Sequence, residues 1–94
     1  MPNRITEYKT QFVERTPVTL ENGILYVMPH LGLAIHKCMC GCGETVVTPL
    51  LPEMVNGWKW FYDEDGVTLT PSVGNFQYKC KSHYFLTHGR VEWC

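Results

Sequence analysis

The hydrophobic positions of this chain recur in short runs that alternate with polar positions or consist of β-branched residues. Runs of this kind are typical of strands and predict a mainly β fold. Two dipeptides, Asn22-Gly23 and His88-Gly89, stand between apolar runs and predict hairpin turns, because such residues accept positive φ. The predicted strands are residues 18–20, 24–28, 33–36, 45–48, 58–63, 67–70, 84–87 and 90–93.

The N-terminal stretch carries two patterns at once. Ile5, Tyr8 and Phe12 have helical spacing, whereas Thr6, Tyr8 and Thr10 alternate as a strand does. We expect residues 1–16 to form an extended arm or a first strand. Residues 1–94 then form a single domain, because a chain of 94 residues is long enough for one domain and too short for two.

Composition excludes several classes of protein. The formal net charge is −1, from 8 basic and 9 acidic residues, which argues against a nucleic-acid binder with its basic stripe. No run approaches the ~20 apolar residues of a membrane span. The first residues, Met1-Pro2-Asn3-Arg4, lack the apolar core of a signal peptide, so the expected location is cytoplasmic.

Five cysteines are the most informative residues, and three of them fall within five positions. This crowding in a reducing compartment favours metal ligation over disulfides. The sequence therefore predicts a zinc-ribbon-like antiparallel β domain, built from hairpins around one structural zinc site. The candidate ligands are Cys38, Cys40, Cys42 and Cys80.

His83 is a fifth candidate for the four positions of a tetrahedral zinc site. If the four sulfurs fill the shell, the site is closed and structural, and His83 is free. If His83 ligates the metal, one clustered cysteine is free instead. Buried free thiols and an iron–sulfur cluster are the competing interpretations. Cys94 follows no knuckle and is expected to be a bystander.

A serine between a proline and a glycine is a candidate nucleophile. Ser72 follows Pro71 and precedes Gly74, so we expect it on a constrained turn after a strand. A serine needs a base to become nucleophilic, and His83 or His36 could serve. Three carboxylates are candidates to orient the imidazole, and they are Glu44, Asp63 and Asp65.

Four segments together resemble one family of small bacterial and phage proteins, long catalogued as a domain of unknown function. The resemblance covers residues 17–94, with Met39 standing where the family pattern has proline. The segments are Gly23-Ile24-Leu25-Tyr26-Val27, His36-Lys37-Cys38-Met39-Cys40-Gly41-Cys42-Gly43, Thr68-Leu69-Thr70-Pro71-Ser72-Val73 and Cys80-Lys81-Ser82-His83-Tyr84.

Members of that family occur beside genes for bacterial ubiquitin-like conjugation. The resemblance implies a serine peptidase that processes or deconjugates a ubiquitin-like protein, with conjugation-pathway enzymes as further partners. Carried over, the nucleophile falls on Ser72 and the general base on His83, while the cysteines hold zinc. The alternatives from the residues themselves are a non-catalytic zinc-ribbon module that binds a protein through its aromatic strand, and a zinc hydrolase.

Overall fold

Two four-stranded β-sheets make up the computed structural model, which describes residues 4–51 and 57–94. The first sheet has the order β1-β2-β3-β4 and the second the order β5-β6-β7-β8. A single turn of 3₁₀ helix, Pro29–Leu31, joins β2 to β3. The strands are β1 Lys9–Phe12, β2 Ile24–Met28, β3 Leu33–Lys37, β4 Thr45–Pro49, β5 Lys59–Asp63, β6 Gly66–Gly74, β7 His83–Thr87 and β8 Arg90–Trp93.

The main core lies between the two sheets. Leu25 from the first sheet and Leu69, Tyr84 and Leu86 from the second have no exposed surface and belong to one buried cluster. Full burial of a large apolar side chain contributes roughly 1.5–3 kcal/mol. The prediction of a mainly β fold is confirmed, and in the described ranges no helix is long and apolar enough to cross a membrane.

The N-terminal segment forms a strand, but not in a hairpin. β1 runs parallel to β2, pairing Lys9 with Ile24 and Phe12 with Val27. The hairpin predicted at Asn22-Gly23 is therefore wrong, since residues 18–20 form no strand. Leu20 instead packs with a second buried cluster on the other face of β2, so that both faces of this strand are covered.

The last hairpin is confirmed. β7 and β8 are antiparallel, pairing Phe85 with Glu92 and Thr87 with Arg90 across the turn. His88 and Gly89 have φ values of 50° and 80°, the left-handed conformation that a two-residue turn of this kind requires.

The strand predicted to stop at Thr70 continues to Gly74 as part of β6. Its register with β7 shifts between the pairs Leu69–Leu86 and Val73–Tyr84, which marks a bulge. Pro71 lies in this bulge, where its missing N–H costs no ladder hydrogen bond. Ser72 therefore lies in a bulged strand and not on the turn that the sequence suggests.

Candidate active site and metal centre

Ser72 and His83 form a hydrogen-bonded pair on the outer face of the second sheet. Ser72 Oγ lies 2.7 Å from His83 Nε2, and both side chains are half-buried. Their neighbours Val73 and Tyr84 point into the core, so strand alternation turns Ser72 and His83 outward. Bulges often change the direction of a side chain beside an active site. Here the bulge lies next to Ser72, whose hydroxyl contacts the His83 imidazole.

The other histidines are engaged elsewhere. His36 is fully buried, and its Nε2 lies 2.8 Å from the hydroxyl of Tyr84. Burial lowers the pKa of His36 to about 4, so this imidazole is neutral at physiological pH. His88 pairs with Asp63 at 2.8 Å, so that carboxylate is bound at the far hairpin turn.

The four cysteines predicted as ligands come together at one end of the core. Their sulfurs, those of Cys38, Cys40, Cys42 and Cys80, lie within 4.8 Å of one another. Cys38 Sγ is 3.4 Å from Cys40 Sγ and 3.8 Å from Cys80 Sγ. Four sulfurs bound at about 2.3 Å to a tetrahedral zinc lie roughly 3.8 Å apart, so the cluster fits such an ion.

Cys94 and His83 stand outside this sulfur cluster. Cys94 is exposed, and its backbone N–H donates to the carbonyl of His83 at 3.1 Å. His83 Nε2 is turned to Ser72. The cluster therefore offers four thiols as candidate metal ligands, and His83 contacts Ser72 instead.

Sequence similarity to a known family covers most of the chain. A family model described as bacterial ubiquitination-like system serine protease (BubE) matches residues 12–94, which include both residues and all four clustered cysteines. The chain belongs to this family. No curated protein and no solved structure matches this chain.

In this BubE-family chain a buried polar network ties the cysteine cluster to the strands that carry the pair. The Asn75 side-chain amide donates to Cys38 Sγ at 3.4 Å, to Ser82 Oγ at 3.2 Å and to Tyr84 Oη at 3.3 Å. Ser82 Oγ also lies 2.9 Å from Cys38 Sγ. Since Ser82 and Tyr84 flank His83, the same groups fix the sulfur cluster and the start of β7.

Sequence reasoning missed Asn75, Ser82 and Tyr84 as parts of this site. Asn75 and Ser82 are nearly fully buried polar residues, and no sequence pattern around them distinguishes them as Pro71 and Gly74 distinguish Ser72. Burial is what marks them, because a buried amide or hydroxyl must find partners. A single sequence does not reveal that burial.

The aromatic surroundings of His83 were missed as well. Its ring stacks on Phe85 with centroids 6.4 Å apart and meets the edge of Phe76 at 5.4 Å. Phe76 lies just beyond β6, and Phe85 follows His83 by two positions on β7. The imidazole is therefore flanked by two phenyl rings.

Proposed function

We propose that this chain is a serine peptidase in which Ser72 is the nucleophile and His83 the general base. The observation that carries the proposal is the 2.7 Å contact between Ser72 Oγ and His83 Nε2 on an open sheet face, in a chain of a serine protease family. The substrate is the C-terminal tail of a bacterial ubiquitin-like protein, as a precursor or a conjugate.

The proposed chemistry needs only these two side chains for its proton transfers. The Ser72 hydroxyl donates to Nε2 of neutral His83, and its proton moves there as Oγ bonds to the scissile carbonyl carbon. His83 then gives that proton to the leaving nitrogen as the C–N bond breaks. Water then attacks the ester carbonyl carbon while His83 takes a proton from it. His83 returns that proton to Ser72 Oγ as the C–O bond breaks, so that the acid product leaves and both side chains are restored.

Zinc is the proposed metal, held by Cys38, Cys40, Cys42 and Cys80. Four thiolates close the coordination shell, so the ion supplies structure and takes no part in hydrolysis. Two contacts of Cys38 support this assignment: the Asn75 amide donates to its sulfur, and the Ser82 hydroxyl, 2.9 Å away, would donate to a thiolate there. Five cysteines without a disulfide among the described residues suit a reducing compartment such as the cytoplasm.

The experiment is cleavage of a cognate ubiquitin-like precursor by purified variants. Ser72→Ala and His83→Ala are each expected to lower kcat by at least ~10³-fold, because removing a nucleophile or its base disables the whole unit. Zinc content and melting temperature stay at wild-type values. A serine-reactive phosphonate labels the wild type and neither variant.

Matched controls lie on the same sheet. Thr87→Ala removes an outward hydroxyl of β7, and His88→Ala removes an exposed imidazole at the turn. Both are expected to keep full activity. Undiminished cleavage by Ser72→Ala would refute the serine mechanism. An inactive wild type that binds ubiquitin-like domains would favour the protein-binding module.

A further inference from the structure

His83 has no carboxylate partner in the ranges 4–51 and 57–94. Its only side-chain hydrogen bond there is the one to Ser72, and the only ion pair of a histidine joins His88 to Asp63. Glu92 faces outward on β8 opposite Phe85, but it makes no ion pair with His83. In a serine–histidine–aspartate triad a carboxylate holds the imidazole in the productive orientation. A histidine that lacks this carboxylate needs another group to orient its ring.

We infer that Phe76, together with Phe85, is the positioning group that holds the His83 imidazole against Ser72. This inference rests on the proposed function and adds the device that orients its base. Phe76 presents its ring to His83 at an interplanar angle of 62°, and Phe85 stacks at 28°. Two rings at different angles restrict rotation of the imidazole about both of its side-chain torsions.

Core packing does not account for Phe76. Its side chain is 61% exposed, and it belongs to neither buried cluster of the described residues. A phenyl ring that stays largely in water contributes little burial free energy. Its main aromatic contact is His83, so orientation of that imidazole is what the ring supplies.

Gly74 makes room for this ring. A Cβ built at position 74 would lie 2.7 Å from Cε2 and 3.2 Å from Cδ2 of Phe76, so any side chain here pushes the phenyl away. The φ of Gly74 lies outside the positive region, and backbone conformation therefore does not require glycine. The close approach of Phe76 is the constraint at this position.

The test is a double-mutant cycle with tail cleavage as the assay. Phe76→Ala is expected to lower kcat by roughly 10- to 100-fold with KM within twofold, the loss that a misplaced catalytic group produces. Phe76→Tyr keeps the ring and keeps kcat. Gly74→Ala lowers kcat as Phe76→Ala does, and the double variant loses no more than Phe76→Ala alone, because the added methyl then meets empty space.

A spectroscopic readout separates positioning from simple stability. Accepting a hydrogen bond from the Ser72 hydroxyl at Nε2 fixes His83 in the tautomer protonated on Nδ1, which ¹⁵N NMR of the imidazole reports. The wild type and Phe76→Tyr show this single tautomer, and Phe76→Ala shows an average of two. Phe61→Ala, which removes an exposed phenyl of β5 that makes no contact with His83, leaves both kcat and the spectrum unchanged.

Three results would overturn the inference while leaving the proposed function intact. A raised KM with normal kcat in Phe76→Ala assigns the ring to substrate contact. Additive losses in the cycle assign Gly74 and Phe76 independent roles. A Glu92→Gln variant as inactive as His83→Ala makes the orienting group a carboxylate. Full activity of Ser72→Ala is a different outcome, and it removes the proposed function itself.

Discussion

The hydroxyl oxygen of Tyr84 gathers three polar groups at the centre of the core. His36 Nε2 lies 2.8 Å away, and the Met39 backbone N–H and the Asn75 amide donate to it at 3.3 Å. A fully buried polar group that loses its partner costs the desolvation free energy of that group. The stability of this region therefore depends on one phenolic oxygen.

Tyr84→Phe tests that dependence. Removing the oxygen leaves His36, Met39 and Asn75 short of a partner, so the free energy of unfolding is expected to fall by about 1–3 kcal/mol. Urea denaturation at neutral pH measures it. Tyr78→Phe is the matched control, because its hydroxyl donates to the Thr45 carbonyl at an exposed site. Its expected cost is about 0.5 kcal/mol, and equal costs would contradict the argument.

Among single residues, the sequence identifies those whose side-chain type alone indicates metal binding or catalysis. Clustered cysteines, and a serine with a histidine, suggest their roles without any knowledge of neighbours. Asn75 and Ser82 acquire theirs only from the fold, which sets them against Cys38 across 37 and 44 residues. Phe76 and Phe85 likewise differ from the exposed Phe12 and Phe61 through their contacts with His83.

Two loops meet at the cysteine cluster. One follows β3 and holds Cys38, Cys40 and Cys42, and the other joins β6 to β7 and holds Cys80. Gly41 and Gly43 have φ values of 87° and 91°, which residues with a side chain rarely adopt, and they let the chain turn between sulfurs. A metal ion bound by these four sulfurs would link the first sheet to the second.

The ligand assignment predicts how cysteine variants differ. Cys80→Ser removes the sole sulfur of the second loop, so zinc content is expected to fall from one ion per chain to near zero, with a lower melting temperature. Elemental analysis of purified protein measures the zinc. Cys94→Ser and His83→Ala are expected to retain it.

Zinc chelation at neutral pH is expected to abolish the cooperative thermal transition of the wild type, because binding and folding are coupled in closed thiolate sites. If His83→Ala loses zinc and a variant of one clustered cysteine retains it, then His83 is a zinc ligand and that cysteine is not. An unchanged melting temperature after verified zinc removal would contradict a structural role for the metal.

Elements set by local sequence could be predicted, and those set by distant partners could not. The His88-Gly89 hairpin forms because two apolar runs are joined by two residues suited to the turn. Asn22-Gly23 carries the same signal, yet β2 takes β1 as its parallel neighbour. The extension of β6 through Pro71 was unpredictable for a related reason, because proline ordinarily ends a strand and only the bulge accommodates it.

Across the whole molecule, the N-terminal segment bridges the two sheets. The N–H of Tyr8 donates to the Gly89 carbonyl at 2.9 Å, and its phenol donates to the Val67 carbonyl at 2.6 Å. Val91 N–H donates to the carbonyl of Thr6 at 2.9 Å. The segment that leads into β1 of the first sheet thus binds β6 and the last hairpin of the second.

Tyr8 makes this arrangement sensitive to high pH. Burial raises the pKa of Tyr8 to about 12 from an ordinary value near 10, so the folded chain keeps a proton that the unfolded chain releases. Its contribution to stability is complete below pH 10 and is lost as pH rises from 10 to 12. The free energy of unfolding should fall by about 2–3 kcal/mol over this range from Tyr8 alone.

Urea denaturation at pH 8, 10 and 11.5 measures the effect. Tyr8→Phe is expected to be less stable at pH 8, through loss of the hydrogen bond to Val67, and to show a shallower decline above pH 10. Tyr62→Phe, at a side chain that is 66% exposed, should follow the wild type throughout. A wild-type decline that Tyr8→Phe leaves unaltered would show that other groups cause it.

The connection between β6 and β7 has a consequence for biosynthesis. Cys80 lies between Ser72 and His83 in the chain, and Cys38 to Cys42 leave the ribosome well before it. A nascent chain thus carries three thiols without the fourth, and a serine without its histidine. The sulfur cluster lacks its fourth thiol until Cys80 is synthesised, and Ser72 lacks its partner until His83 follows three positions later. The proposed peptidase activity is therefore expected only after His83 has been synthesised and has reached Ser72.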